Sequence, residues 1–246
     1  MPNAPLLSVA DALARILADA HPMDTEAVGL LDADGRVLAG PLTARRTQPP
    51  FDVSAMDGFA IRAADADSLP AELRIIGEAA AGHGFRGSVA PGEAVRIFTG
   101  APVPEGADAI VIQENTKFDG ATVRIVEGTP EVGHIRPTGF DFREGQSFFT
   151  AGHLLNSRDI TLAAALGHAS LDVRRRPRVA IVATGDELVL PGEPTGPDQI
   201  VCSNPYGVAA MVRRAGADPL FLGIARDDRA HLAETVTRGR DADVLV

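Results

Sequence analysis

Carboxylates gather at two places in the last third of the chain, each where an apolar run ends. Arg178–Ala183 passes into Thr184-Gly185-Asp186-Glu187-Leu188, and Pro219–Ile224 passes into Ala225-Arg226-Asp227-Asp228. Asp186, Glu187 and Asp227 are hard oxygen donors of the kind Mg²⁺ takes, and Mg²⁺ commonly bridges such groups to phosphate. The same residue types also build turns and cap helices, and spacing alone leaves both roles open.

Three further segments have the composition of working loops. Pro49-Pro50-Phe51-Asp52-Val53-Ser54-Ala55-Met56-Asp57-Gly58-Phe59-Ala60 is stiffened by its proline pair and turned by Asp57-Gly58. It reads as a hairpin turn or as a loop presenting Ser54 and Asp57 to a partner surface. Phe98-Thr99-Gly100-Ala101-Pro102-Val103-Pro104-Glu105-Gly106 joins two apolar runs. Thr99 and the N–H groups after it would suit an anion nest, although such loops also occur as plain turns. In Ile135-Arg136-Pro137-Thr138-Gly139-Phe140-Asp141, Arg136 is suited to clamping phosphate and Asp141 to orienting it or binding metal. A structural Arg–Asp pair is the alternative.

Other chemistries lack support. The six histidines show no H-x-H or H-E-x-x-H spacing, against a zinc site. G-x-S-x-G is absent, so no nucleophile elbow is indicated. No G-x-G-x-x-G follows the strand at Arg178–Ala183, against dinucleotide binding of the usual kind. Cys202 precedes a helix start, which would lower its pKa, or it is a small residue beside a cap.

The elements around these segments change character along the chain. Residues 6–20 read as a helix with Ser8 as N-cap, Asp11 three residues on, and Val9, Leu13, Ile16 and Leu17 on one face. Asp34-Gly35 marks a turn before a short apolar segment ending at Leu38. Between Thr43 and Gly152, glycine and proline break the chain into short runs: Phe59–Arg62, Leu73–Ile76, Val95–Phe98, Ala109–Ile112 and Val123–Val126. That is a β-rich pattern. A short helix is expected over Ile160–Leu166 with Asp159 as cap and Gly167 as stop, then a strand at Leu171–Val173. Arg174–Arg176 before Pro177 is a boundary, either an anion-binding triplet or a solvated linker. Beyond it, strand Arg178–Ala183, helix Asn204–Ala215, strand Pro219–Ile224, helix Asp228–Arg238 and strand Ala242–Val246 form a β-α-β-α-β series. Such a series makes a parallel sheet, with ligands beyond the carboxyl ends of its strands. Three strands and two helices are few for a doubly wound domain, and the reading includes the expectation that the chain is truncated.

A chain of 246 residues with 45% hydrophobic and 23% charged residues can build real cores. Its net charge of −10 gives no general pull toward nucleic acid or anionic membrane. A single cysteine rules out an internal disulfide, and no signal peptide or run of ~20 apolar residues is visible. A cytoplasmic protein without membrane or nucleic-acid partners is expected.

In order along the chain, Gly35-Arg36-Val37-Leu38-Ala39, the Pro49–Ala60 stretch, Thr99-Gly100-Ala101-Pro102 with Pro104 and Gly106, Arg136 with Gly139 and Asp141, Ala183–Leu188, Ser203-Asn204-Pro205 and Arg226-Asp227-Asp228 resemble the MoeA family of molybdopterin molybdenumtransferases, which includes the E domain of gephyrin. The resemblance implies a multi-domain α+β and α/β fold: a β-rich inserted module plus a partial parallel three-layer α/β domain that binds the molybdenum cofactor. By the same likeness, residues 1–42 and 138–173 would form an extended linker and dimerisation domain, 43–137 the β-rich inserted domain, and 174–246 the partial molybdopterin-binding domain.

The resemblance also implies a reaction: Mg²⁺-dependent cleavage of adenylylated molybdopterin, with molybdenum from molybdate entering the dithiolene and AMP leaving. It implies a homodimer whose active site lies between the α/β domain of one protomer and the β-rich module of the other. Glu187 and Asp227 would stand near metal, molybdate and pterin phosphate, with Thr184, Gly185 and Asp186 binding substrate. Asp57 and Thr99 would be lent across the dimer, Ser54, Arg136 and Asp141 would bind substrate at the same cleft, and other enzymes of the pathway are possible partners. Phe140 departs from the acidic residue the family usually carries before Asp141. The family continues past the equivalent of Val246 with further pterin-binding segments, so impaired activity of this chain is expected. Two rivals are a non-catalytic dimerisation or binding fragment of the family and a competence-damage or adenylyltransferase relative. The β-rich segment argues against the latter.

Overall fold

The computed structural model describes residues 7–128 and 132–246. Contacts divide the chain into two compact units: residues 1–42, 149–164 and 168–246, and residues 43–148 with 165–167. Residues 138–148, expected with the linker region, group with the β-rich unit. Backbone bonds from Gly139 N–H to the Pro49 carbonyl and from Asp141 N–H to the Gln48 carbonyl tie them there.

The first unit begins with helix α1, Val9–Leu17. The Ser8 hydroxyl accepts from the Asp11 N–H at 3.1 Å and donates to its carboxylate at 2.7 Å, the reciprocal capping expected from sequence. The helix stops short of residue 20 because His21 precedes Pro22, which disfavours helical backbone before it. Leu6, at the start of the expected helix, lies outside the described residues. Strand β1, Thr25–Gly29, follows.

In the β-rich unit lie β2 (Gly58–Ile61), β3 (Ala71–Ala79), β4 (Glu93–Ile97), β5 (Ala109–Ile112), β6 (Thr116–Phe118) and β7 (Thr122–Ile125). They form a six-stranded mixed sheet in the order β5-β2-β4-β3-β7-β6. All its neighbours are antiparallel except β3 and β4. Alternation along the strands sends side chains to two separate cores. Phe59, Ile61, Leu73, Val111, Val123 and Ile125 fill one, and Ala60, Val95, Ile97 and Ile110 fill the other. Gly58 lies against β5 so closely that a Cβ would overlap the Val111 carbonyl oxygen.

Helix α2 spans Ser157–Ala165, three residues earlier than the spacing predicts. The cap is Asn156, whose side-chain oxygen accepts from the Arg158 and Asp159 N–H groups at 2.9 and 3.3 Å. Asp159 instead sits inside the first turn and accepts from the Asn156 N–H at 3.0 Å, closing a capping box. His153 Nε2 lies 2.9 Å from the same carboxylate.

Strand β8, Ser170–Arg174, pairs antiparallel with β1 in the first unit, Glu26 opposite Val173. The α/β part then runs β9 (Arg178–Thr184), α3 (Asn204–Arg214), β10 (Asp218–Ala225), α4 (Arg229–Thr237) and β11 (Val244–Leu245). The sheet is wholly parallel in the order β10-β9-β11, with β9 central. Val208, Ala209 and Val212 of α3 pack on Val179, Ile181 and Phe221. On the opposite face, the α4 end at Gly239 meets Leu222 and Ala180. Helix, sheet and helix make three layers. Asp228 caps α4, accepting from the His231 N–H at 2.8 Å. Among the described residues no helix is long and apolar enough to cross a membrane.

Candidate functional site

The carboxyl ends of β9 and β10 lie side by side because the two strands pair from Arg178↔Asp218 to Thr184↔Ala225, with one register shift between Ile181 and Val182. Their exits therefore converge. The Gly185 N–H donates to the Ala225 carbonyl at 3.1 Å, and the Asp227 N–H donates to Asp186 Oδ1 at 3.3 Å. Gly185 has φ of +144°, and the Glu187 carboxylate folds over it so tightly that a Cβ would collide with it. The positive φ calls for glycine there, whereas the Glu187 carboxylate, at the end of a flexible side chain, could swing aside. Thr184, Asp186, Glu187 and Asp227 all stand exposed around this turn.

Beside it opens a cavity of about 360 Å³ lined by Thr184, Leu188, Cys202, Ser203, Asn204 and Val208, among others. Helix α3 begins at its wall, with Pro205 in the first turn. Ser203 precedes that helix without spending its hydroxyl on a cap bond. The arrangement offers a hydroxyl, a threonine and the N–H end of a helix to an anion, next to carboxylates suited to a cation. Ser203 and Asn204 carried no individual signal in the sequence beyond their place in the family resemblance, because Ser-Asn-Pro reads as an ordinary helix start. Cys202 is buried and burial pushes its thiol pKa up, so the activated-thiol reading is set aside.

Among the described residues no group of three or more His, Cys, Asp or Glu side chains is placed to hold a metal ion by itself. The donors present suit Mg²⁺ in one mode, with one or two carboxylates and the remaining positions filled by water and substrate phosphate.

In the β-rich unit, three loops expected to matter come together. The Ser54 N–H donates to the Ala101 carbonyl at 3.0 Å and the Gly100 N–H to the Ser54 carbonyl at 2.8 Å. Ile135 and Arg136 pair antiparallel with Ser54 and Val53. Asp52 Oδ1 accepts from the Thr138 N–H at 2.7 Å and its hydroxyl at 2.9 Å. Asp57 Oδ1 likewise accepts from the Thr99 N–H and hydroxyl, both at 2.8 Å, and these bonds, the backbone one foremost, hold its carboxyl below the usual range. Asp57 and Thr99 are both exposed. Ser54 is not presented as expected: it is 1% exposed, and its hydroxyl donates to the Met56 carbonyl at 2.6 Å. The tight turn toward Asp57 draws that hydroxyl inward. Arg136 donates to Asp141 at 2.9 Å, and its guanidinium lies 5.1 Å from the Phe140 ring centre. Phe140 thus covers the Arg136 cation with a ring face.

The chain thus combines a parallel three-layer α/β part with acidic strand ends and a β-rich unit. Residues 180–246 match the family described as "Probable molybdopterin binding domain", and residues 7–167 match "MoeA N-terminal region (domain I and II)". The chain belongs to the MoeA family. It is 39% identical over its whole length to a protein from Nostoc sp. named molybdopterin molybdenumtransferase, covering 58% of that protein. With molybdopterin molybdenumtransferase 2 of Mycobacterium tuberculosis it shares 40% identity over 89% of this chain and 55% of the relative. A crystal structure of the molybdopterin biosynthesis MoeA protein from Pyrococcus horikoshii superposes with a TM-score of 0.86 at 33% identity, covering 96% of this chain and 64% of that one. The chain thus spans little more than half the length of these curated relatives.

Proposed function

We propose that the chain serves molybdenum cofactor biosynthesis as a transferase, inserting molybdenum from molybdate into adenylylated molybdopterin with release of AMP. The observation that carries this reading is the turn Thr184–Glu187 meeting Asp227 beside the open N-terminus of α3, within the segment that matches a molybdopterin-binding domain.

Each group has a task in that reaction. The helix end, Ser203 and Thr184 receive the pterin phosphate, and the Gly185 turn lets substrate approach the backbone with Asp186 fixing the loop beneath it. Glu187 and Asp227 would hold Mg²⁺, which when bound supplies charge neutralisation at the phosphates. Cleaving an adenylate needs positioning and charge stabilisation more than a strong nucleophile, which agrees with a site of carboxylates, hydroxyls and N–H groups. In a homodimer, Asp57 and Thr99 come from the second subunit as a preorganised acid–hydroxyl pair, with Arg136 and Asp141 binding substrate at the same cleft. The exposed apolar face of α1, including Val9 at 86% and Ile16 at 74% exposure, supports pairing of two copies. The setting is cytoplasmic, where other enzymes of the pathway would hand the substrate on.

The test follows AMP release from adenylylated molybdopterin with molybdate present. Release should require Mg²⁺ and fall about 10²-fold or more in Asp227→Ala, the scale for losing a group that stabilises developing charge. Release that is indifferent to Mg²⁺ and to Asp227→Ala contradicts the proposal; a low absolute rate in this chain is the impairment that the family resemblance implies.

A further inference from the structure

A second cavity, of about 730 Å³, lies in the first unit away from the carboxylate strand ends. Six arginines line it: Arg36, Arg174, Arg175, Arg176, Arg213 and Arg214. No aspartate or glutamate is among its lining residues, in a chain whose net charge is −10. Three of the six are committed to the fold. Arg36 pairs with Glu26, Arg174 donates to the Met23 carbonyl at 3.0 Å, and Arg175 makes two 2.8 Å bonds to Asp243. Their partners fix the wall.

The other three have no ion pair or side-chain hydrogen bond among the described residues. Arg213 and Arg214 lie in the last turn of α3, where the helix dipole favours a cation. That accounts for a basic residue on the helix but not for Arg176, which comes from the segment entering β9. Arg176 is half-buried, and Arg213 and Arg214, both exposed, line the same cavity. Like charges gathered on one concavity focus a positive potential that an anion would meet. Guanidinium forks match phosphate oxygens bidentately. Met23, Val37 and Leu154 add apolar wall, so the cavity is shaped for a phosphorylated molecule with a body rather than for a bare ion.

We propose that this cavity is a binding site for a small phosphate-bearing ligand, held by Arg176, Arg213 and Arg214. It is separate from the molybdopterin reading and stands or falls without it.

Pyrophosphate is the probe, titrated calorimetrically into the full chain at 150 mM salt and followed through arginine Nε–Hε resonances. The expected result is saturable binding that shifts the Arg176, Arg213 and Arg214 signals. Affinity should fall at least tenfold in the Arg176→Ala/Arg213→Ala/Arg214→Ala variant. Arg176→Lys keeps the charge and should fall between the two, since the fork is lost; it also serves if the triple variant folds poorly. No binding at this salt overturns the proposal and is the result expected if these arginines instead meet an acidic segment of another protein. Equal affinity in wild type and both variants, or shifts confined to other arginines, overturns it as well.

Discussion

Asp57 receives two hydrogen bonds from one residue, the N–H and the hydroxyl of Thr99, and stays ionised below the usual carboxyl range because both donors favour the anion. Thr99→Val removes the hydroxyl donor and keeps the backbone one. The Asp57 pKa should then rise part of the way to its ordinary value, as a carboxyl-carbon NMR titration would show; an unchanged value would mean the hydroxyl contributes nothing. At this scale the chain was largely legible. Asp57 with Thr99, Arg136 with Asp141, and Asp186 with Asp227 were singled out from residue type and turn chemistry, and each pair is in contact. For Ser54, of the two readings the residues left open, the turn is the one its buried hydroxyl fits, because a hydroxyl's direction depends on the turn that carries it. Inward and outward rotamers of serine leave the same trace in sequence.

Among the elements, β2 is constrained most sharply at Gly58. A methyl there has no room against the Val111 carbonyl, so Gly58→Ala must push β2 from β5, with a cost of about 3 kcal/mol readable by denaturant unfolding. Asp243 fixes the start of the α/β part. It accepts two bonds from Arg175 and one from the Arg178 N–H at 2.7 Å, and Arg175 above all drives its carboxyl far below the usual range. A depressed folded pKa means the stabilisation is present at neutral pH and fades as pH falls below about 4, the unfolded value. Asp243→Asn should cost about 2 kcal/mol at pH 7 and flatten that part of the acid dependence; equal stability of mutant and wild type at pH 7 would contradict the assignment. The exposed face of α1 belongs to the same scale. If two copies pair through it, Ile16→Asp should shift the protein toward monomer in sedimentation. Element type is readable wherever the apolar pattern is clean, as in β9 and α1. The start of α2 is not, because Asn and Asp three residues apart are both plausible caps, and only the bonds at Asn156 decide between them.

At the scale of the molecule, there are two compact units: a mixed sheet in one carries exposed Asp57 and Thr99 at its edge loops, and a parallel sheet in the other carries exposed Glu187 and Asp227 at its strand ends. The β-α-β-α-β order announces the α/β part, because crossover helices between short apolar strands admit few other topologies. The two-sided sheet of the β-rich unit is less visible. Its one parallel pair, β3 with β4, joins strands whose alternation looks like that of antiparallel neighbours. The central claim is that the α3 end, together with Mg²⁺ that Glu187 and Asp227 would hold, binds the pterin phosphate at the tips of β9 and β10. Its most direct test is the affinity of the purified chain for molybdopterin with Mg²⁺ present, wild type against Glu187→Ala and Asp227→Ala, each confirmed folded. The account predicts that each substitution weakens binding at least about tenfold, roughly 1.4 kcal/mol. Wild-type affinity in both variants would contradict it.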